Sequence, residues 1–274
     1  MTAQKQQAAR DLLVFYGEAG VDAVLGETPV DRLAAAEPRA PQADAFDPPA
    51  APARKSAMHD SAPAQRAAPA APLPPEEAVM AAREAARKAE SLEELRAILE
   101  RFEGCALRAT AKRLVFADGN PKARVMFVGE APGREEDIEG RPFVGRSGKL
   151  LDLMLAAIGL DRSKVYIANI VPWRPPGNRD PSLHETAICL PFIQRQIELV
   201  NPDILICLGK PSMATLLGVS EGIRKMRGRW LVYKAGDREI PAMPTFHPAY
   251  LLRSPLEKRL AWRDFLSVKK VLAR

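Results

Sequence analysis

Four short apolar runs, each closed by a turn residue and separated from the next by a longer segment, constrain this chain more than any other feature. They are residues 124–129 (RVMFVG), 165–171 (VYIANIV), 204–209 (ILICLG) and 240–246 (IPAMPTF). Runs this short do not make helices, and their unbroken apolarity suits strands buried on both faces. Between them, residues 148–158, 183–200 and 211–217 carry apolar side chains at helical spacing, and 255–272 follows the last run. Strands alternating with helices predict an α/β fold, a parallel sheet covered on both sides. Ligands bind beyond the carboxyl ends of such strands, so chemistry is expected in the loops that follow the runs.

The first third of the chain reads differently. Residues 8–25 (AARDLLVFYGEAGVDAVL) place Leu12, Leu13, Phe15 and Tyr16 at helical spacing, dense enough to dock on a protein partner, and residues 1–33 form an expected helical segment. Over 34–75, 16 alanines and 10 prolines fill most positions without a structural period, the composition of a disordered or polyproline-like linker. From residue 75 the text becomes PEEAVMAAREAARKAESLEELRAILERF, acidic early and basic late as a helix dipole favours. A helical lead-in over 76–102 therefore opens a folded body that runs to residue 274.

Three cysteines without a CxxC pair exclude a disulfide scaffold and argue against a closed tetrahedral cysteine zinc site. The N-terminus lacks a basic segment followed by an apolar core, and no eighteen consecutive residues are apolar. The expectation is a cytoplasmic monomer with no membrane association. Net charge is +6, and residues 210–274 hold 14 basic against 5 acidic side chains, which leaves the rest slightly negative. Such asymmetry points to a polyanion, most often nucleic acid, although a solvated basic face would give the same count.

The strand-end loops carry the candidate chemistry. After the first run comes GEAPGREEDIEGRPFVGRSG, whose glycines permit tight turns but which contains neither a P-loop nor GxGxxG, so nucleotide phosphate binding is disfavoured. Glu130 follows a buried strand directly, where a carboxylate must be used, paired with an arginine or spent on a cap. Asn169 ends the second run and can present donor and acceptor together, either to a pyrimidine edge or to loop backbone. Ser182 and Glu185 form an expected capping box, leaving His184 in a solvated first turn. The loop PTFHPAYLLRSP holds His247, the one histidine of three at a strand end, placed either for catalysis or as a structural histidine buried against the sheet. Its Leu251, Leu252 and Arg253 suit an exposed loop that wedges into a base stack while the arginine holds phosphate.

Together, GEAPGxxED, GRPFVGRSG, NxVxxRPPGNRxP and HPAYLLR, in this order, resemble the family 4 uracil-DNA glycosylases over residues 100–272. The resemblance implies a three-layer α/β/α sandwich with a four-stranded parallel sheet. It also implies a DNA-repair hydrolase, acting at the nucleoid, that flips uracil out of DNA and cleaves its N-glycosidic bond to leave an abasic site. Carried over by position, Glu130 and His247 are catalytic. Ala131, Glu136, Phe143 and Asn169 bind the substrate, and Leu251, Leu252 and Arg253 contact DNA. A non-catalytic DNA-binding module that kept the pocket is the alternative. The family's four-iron, four-sulfur cluster needs four cysteines. At the matching positions Cys105 and Cys189 remain, while Phe102 and Trp173 stand where the other two would be, so no cofactor is expected.

Overall fold

The computed structural model describes residues 75–273. The helical segment expected over residues 8–25, His59 and, apart from Pro75, the Ala/Pro-rich stretch lie outside the described residues. The lead-in forms α1 (Pro75–Lys88) and α2 (Leu92–Arg101), followed by a single turn, α3 (Leu107–Thr110). Acidic Glu76 and Glu77 open α1 and basic Arg87 and Lys88 close it, while Ser91 caps α2 by accepting from the Glu94 amide.

A sheet of six strands follows: β1 (Asp118–Gly119), β2 (Val125–Gly129), β3 (Val165–Asn169), β4 (Ile204–Leu208), β5 (Leu231–Ala235) and β6 (Arg238–Thr245), in the order β1-β3-β2-β4-β6-β5. The four predicted runs are the parallel strands β3, β2, β4 and β6. The expectation of four strands is corrected at both edges, where β1 and β5 pair antiparallel. Two residues of β1 give no sequence signal, and β5 is an edge strand whose Val232 is exposed.

The unbroken apolarity of the central runs has a direct cause. Val125 and Phe127, with Val165, Ile167, Ile204 and Ile206, pack under α5 (Arg146–Ala157) and α10 (Lys258–Leu272). The residues between them, Met126, Val128, Tyr166, Ala168, Leu205 and Cys207, pack under α1, α2 and α6 (Leu183–Val200). Three layers result. On α1, the buried stripe Ala78, Ala82 and Ala86 repeats every fourth residue, so that one small-residue face packs into this core. Among the described residues no helix is long and apolar enough to cross a membrane.

Short helices fill the strand-end loops: α4 (Arg134–Glu139) after β2, α7 (Lys210–Leu217) after β4, α8 (Ile223–Met226) before β5 and α9 (Pro248–Arg253) after β6. The last corrects the expected exposed loop. Pro248 takes the first helical position and the His247 side chain caps it, so the AYLLR segment is helical. Leu251 consequently turns into the core beside Phe246 and Ala261 and is not available as a wedge.

Candidate active site

Loops from the ends of β2, β3, β4 and β6 converge on one cleft of about 800 Å³. Glu130, Ala131, Phe143, Asn169, His247, Leu252 and Arg253 all border it, so the positions singled out in the sequence meet in space, with Leu251 the exception.

Gly129, Asn169 and Phe143 together build the floor. Asn169, the last residue of β3, is buried, and its Oδ1 has no hydrogen-bond partner among the described residues. Gly129 faces it across the β2–β3 ladder. A Cβ on Gly129 would stand 2.4 Å from Asn169 Oδ1 and 2.7 Å from the Phe143 ring, so the missing side chain lets the amide and the aromatic ring both approach that point. Leaving a buried acceptor unpaired costs about 1–3 kcal/mol, which a ligand offering an N–H recovers. Phe143 itself has φ +54°, a left-handed conformation costly for a bulky side chain, and its ring lies 5.4 Å from the His247 imidazole, centroid to centroid.

Glu136 borders the same cleft but is engaged elsewhere. Its carboxylate accepts from the backbone N–H groups of Gly133, Val144 and Gly145, each at 3.0 Å. It is a brace between the β2 loop and the turn that carries Phe143.

His247 accepts from the Ala249 N–H through Nδ1 at 3.1 Å. A neutral ring with Nδ1 as acceptor carries its proton on Nε2. Burial, and then the Arg253 guanidinium, lower its pKa to about 4, so the ring is neutral at neutral pH and offers Nε2–H as a donor. Half-buried Glu130 shifts the other way. Burial, and then the charge of Asp180 on the loop after β3, raise its carboxyl above the ordinary glutamate value. Asp180, Arg146 and Lys210 also border the cleft and were missed in the sequence. Arg146 and Lys210 each follow a glycine that precedes a helix, the one local signal that could have marked them.

The pattern of the uracil DNA glycosylase superfamily matches residues 116–266, a stretch containing all six strands and every loop of the cleft. The chain belongs to that superfamily. It is 40% identical over 187 residues to the type-4 uracil-DNA glycosylase of Sulfurisphaera tokodaii, covering 66% of this chain and 85% of that protein. The type-4 uracil-DNA glycosylase of Thermotoga maritima is 41% identical over 179 residues, 64% of this chain and 92% of that one. That of Archaeoglobus fulgidus is 35% identical over 189 residues, with 68% and 95% covered.

In this glycosylase superfamily member, the residues at the implied cluster positions do not fit a four-iron cluster. Cys105 and Cys189 are buried side by side, and the hydrogen bond between them, then burial, hold the Cys189 thiol well above its usual pKa. Around them the volume is hydrocarbon: Trp173 is fully buried in the same cluster, and the Phe102 ring packs edge-on against Phe192 at 5.0 Å. Among the described residues no three His, Cys, Asp or Glu side chains converge to hold a metal ion. Cys207 is a core residue of β4, its thiol pushed up to about 12 by burial.

Proposed function

We propose that this chain removes uracil from DNA, taking the base out of the stack into the cleft and hydrolysing its N-glycosidic bond to leave an abasic site. One observation carries the reading: the buried, unpartnered Oδ1 of Asn169 beside the Phe143 ring. Uracil has an N3–H next to the O4 acceptor, the complement of an amide's Oδ1 and Nδ2, and a flat face for the phenyl ring. Bond breaking puts negative charge on the base and positive charge on the sugar. The Nε2–H of neutral His247 donates to O2 as that oxygen becomes anionic, where a preorganised donor is worth most. Glu130, with the Ala131 backbone, orients the attacking water and stabilises the cationic sugar. Arg253 holds a phosphate, and half-buried Leu252 is the apolar side chain of α9 left to press against the stack.

The test is uracil release from a defined oligonucleotide by the purified full chain without added metal or nucleotide. Abasic product supports the reading, binding without release favours a non-catalytic module, and activity restored only by a divalent ion contradicts the mechanism.

The same reading assigns no iron-sulfur cluster, because aromatic side chains fill the positions of two ligands. Anaerobically purified protein should be colourless, and about four irons per chain would overturn this. Residues 76–274 are the proposed catalytic unit of a monomer acting at the nucleoid, with 1–33 as a docking segment for a protein partner and 34–75 as its tether. Limited proteolysis should leave a fragment from about residue 76 that still excises uracil, and an inactive fragment moves the boundary.

A further inference from the structure

Phe143 is held in a conformation it would not choose, and the group that holds it lies outside the cleft. Arg162, in the short turn before β3, donates through Nη1 to the Pro142 carbonyl at 3.1 Å and through Nη2 to the Phe143 carbonyl. Its guanidinium is fixed in turn by two carboxylates: Nε donates to Asp152 on α5 at 2.8 Å, and Nη1 to Asp118 on β1 at 2.5 Å. From the other side, Glu136 accepts from the Val144 and Gly145 amides. The four residues 142–145 are thus gripped by a cation on two carbonyls and an anion on two amides.

The grip sets the backbone of Phe143, whose ring is the proposed stacking face for the base. A φ of +54° costs a non-glycine residue free energy and persists only where its surroundings enforce it. Gly148 on α5 contributes, since a Cβ there would lie 1.7 Å from the Phe143 carbonyl oxygen, so only a glycine lets that oxygen sit where Arg162 reaches it. The minimal strand β1 acquires a purpose in this arrangement, for its pairing with β3 presents Asp118 to the guanidinium.

We propose that Arg162, anchored by Asp118 and Asp152, is a positioning residue that fixes Phe143 against Gly129, Asn169 and His247 and so sets the width of the base slot. This rests on the proposed uracil excision. Arginine suits this role through its planar fork, which bonds two adjacent carbonyls and two carboxylates at once, as a lysine ammonium cannot.

The experiment compares Arg162→Met, Phe143→Ala and the double variant in the full chain by three readouts. Single-turnover uracil release should fall about a hundredfold in Arg162→Met, as expected for a ring displaced by about 1 Å, and inhibition by free uracil should weaken in parallel. Affinity for abasic-site DNA should stay within about twofold, because the phosphate contacts are untouched. In the Phe143→Ala background, adding Arg162→Met should change the rate little, since the side chain it positions is gone. Additive losses, equal loss of abasic-site binding, or an unchanged rate would overturn the proposal. Amide hydrogen exchange supplies an arm independent of activity: residues 141–148 should exchange faster in Arg162→Met while α6 stays protected, and unchanged protection of 141–148 counts against the clamp. Should Arg162→Met fail to fold, Asp118→Asn loosens the guanidinium with both carbonyl partners in place and should give the same pattern in weaker form. Absence of uracil release by the unmodified chain would instead defeat the proposed function, leaving the exchange result to judge the clamp.

Discussion

Gly129→Ala isolates the base slot from the rest of the fold. Gly129 has an ordinary negative φ, so an alanine there meets no backbone penalty, and the whole effect comes from the added methyl. That methyl would lie 2.4 Å from Asn169 Oδ1 and 2.7 Å from the Phe143 ring, against an ordinary contact of at least 3.4 Å. The amide must therefore retreat by about 1 Å and the ring by somewhat less, and both are the proposed base contacts. Misplacing a reacting partner by about 1 Å costs about a hundredfold in rate, so single-turnover release of uracil should fall by at least that factor. Overpacking a buried site costs about 1–3 kcal/mol, which lowers Tm by roughly 2–12 °C for a domain of this size, so the variant remains folded at 25 °C. The assay is alkaline cleavage of end-labelled uracil oligonucleotide under single-turnover conditions, with abasic-site binding as the control for an intact DNA surface. A rate within about threefold of the unmodified chain, in a natively folded variant, would refute the claim that the base sits over Gly129.

Three further outcomes test the chemistry. His247→Ala should slow release by about a hundred- to a thousandfold with abasic-site binding nearly unchanged, and equal loss of both would make His247 structural. Arg253→Ala should weaken DNA binding and lower the salt slope by about one, measured by titration at several salt concentrations; an unchanged slope would remove it from the phosphate contacts. In the proposed mechanism Glu130 works as the carboxylate, and Asp180 helps raise its pKa, so Asp180→Asn should carry the acid limb of the rate profile to lower pH. His247, neutral above about 4, adds no limb in that range, and a limb that stays in place or moves upward in Asp180→Asn contradicts the assignment.

The parallel strands were legible because burial on both faces leaves them uniformly apolar, and the catalytic candidates because they sit where those runs end. Asn169 is a case in point: a polar residue closing an apolar run is visible in one dimension. Arg162 is not, since nothing in its neighbours tells that it grips carbonyls about twenty residues upstream. The surroundings of Glu136 and Leu251 are hidden for a related reason. Sequence placed each in the correct loop, but side-chain direction is decided by the helix each joins, α4 turning Glu136 onto backbone amides and α9 turning Leu251 inward. The exposed reading of AYLLR failed on a cap that involves His247 itself, which the residue pair His-Pro hints at but does not compel.

Charge shows the same limit from another side. The basic excess of residues 210–274 points to a polyanion partner without saying where it binds. Three of its fourteen cations are spent within the fold: Arg227 pairs with buried Asp264, Arg224 with Glu257 and Arg238 with Asp203. The cations that border the cleft come from separated loops, with Arg134, Arg146 and Arg179 from the mildly acidic part of the chain and Lys210 and Arg253 from the basic part. Since a field at a cleft depends on where charges converge, their sum along the sequence is the wrong quantity. Each of those loops lies beyond the carboxyl end of a parallel strand. The topology that makes the four strands parallel therefore also gathers cations from four loops, together with Glu130, Glu135 and Asp180, around a slot floored by Phe143 and Asn169.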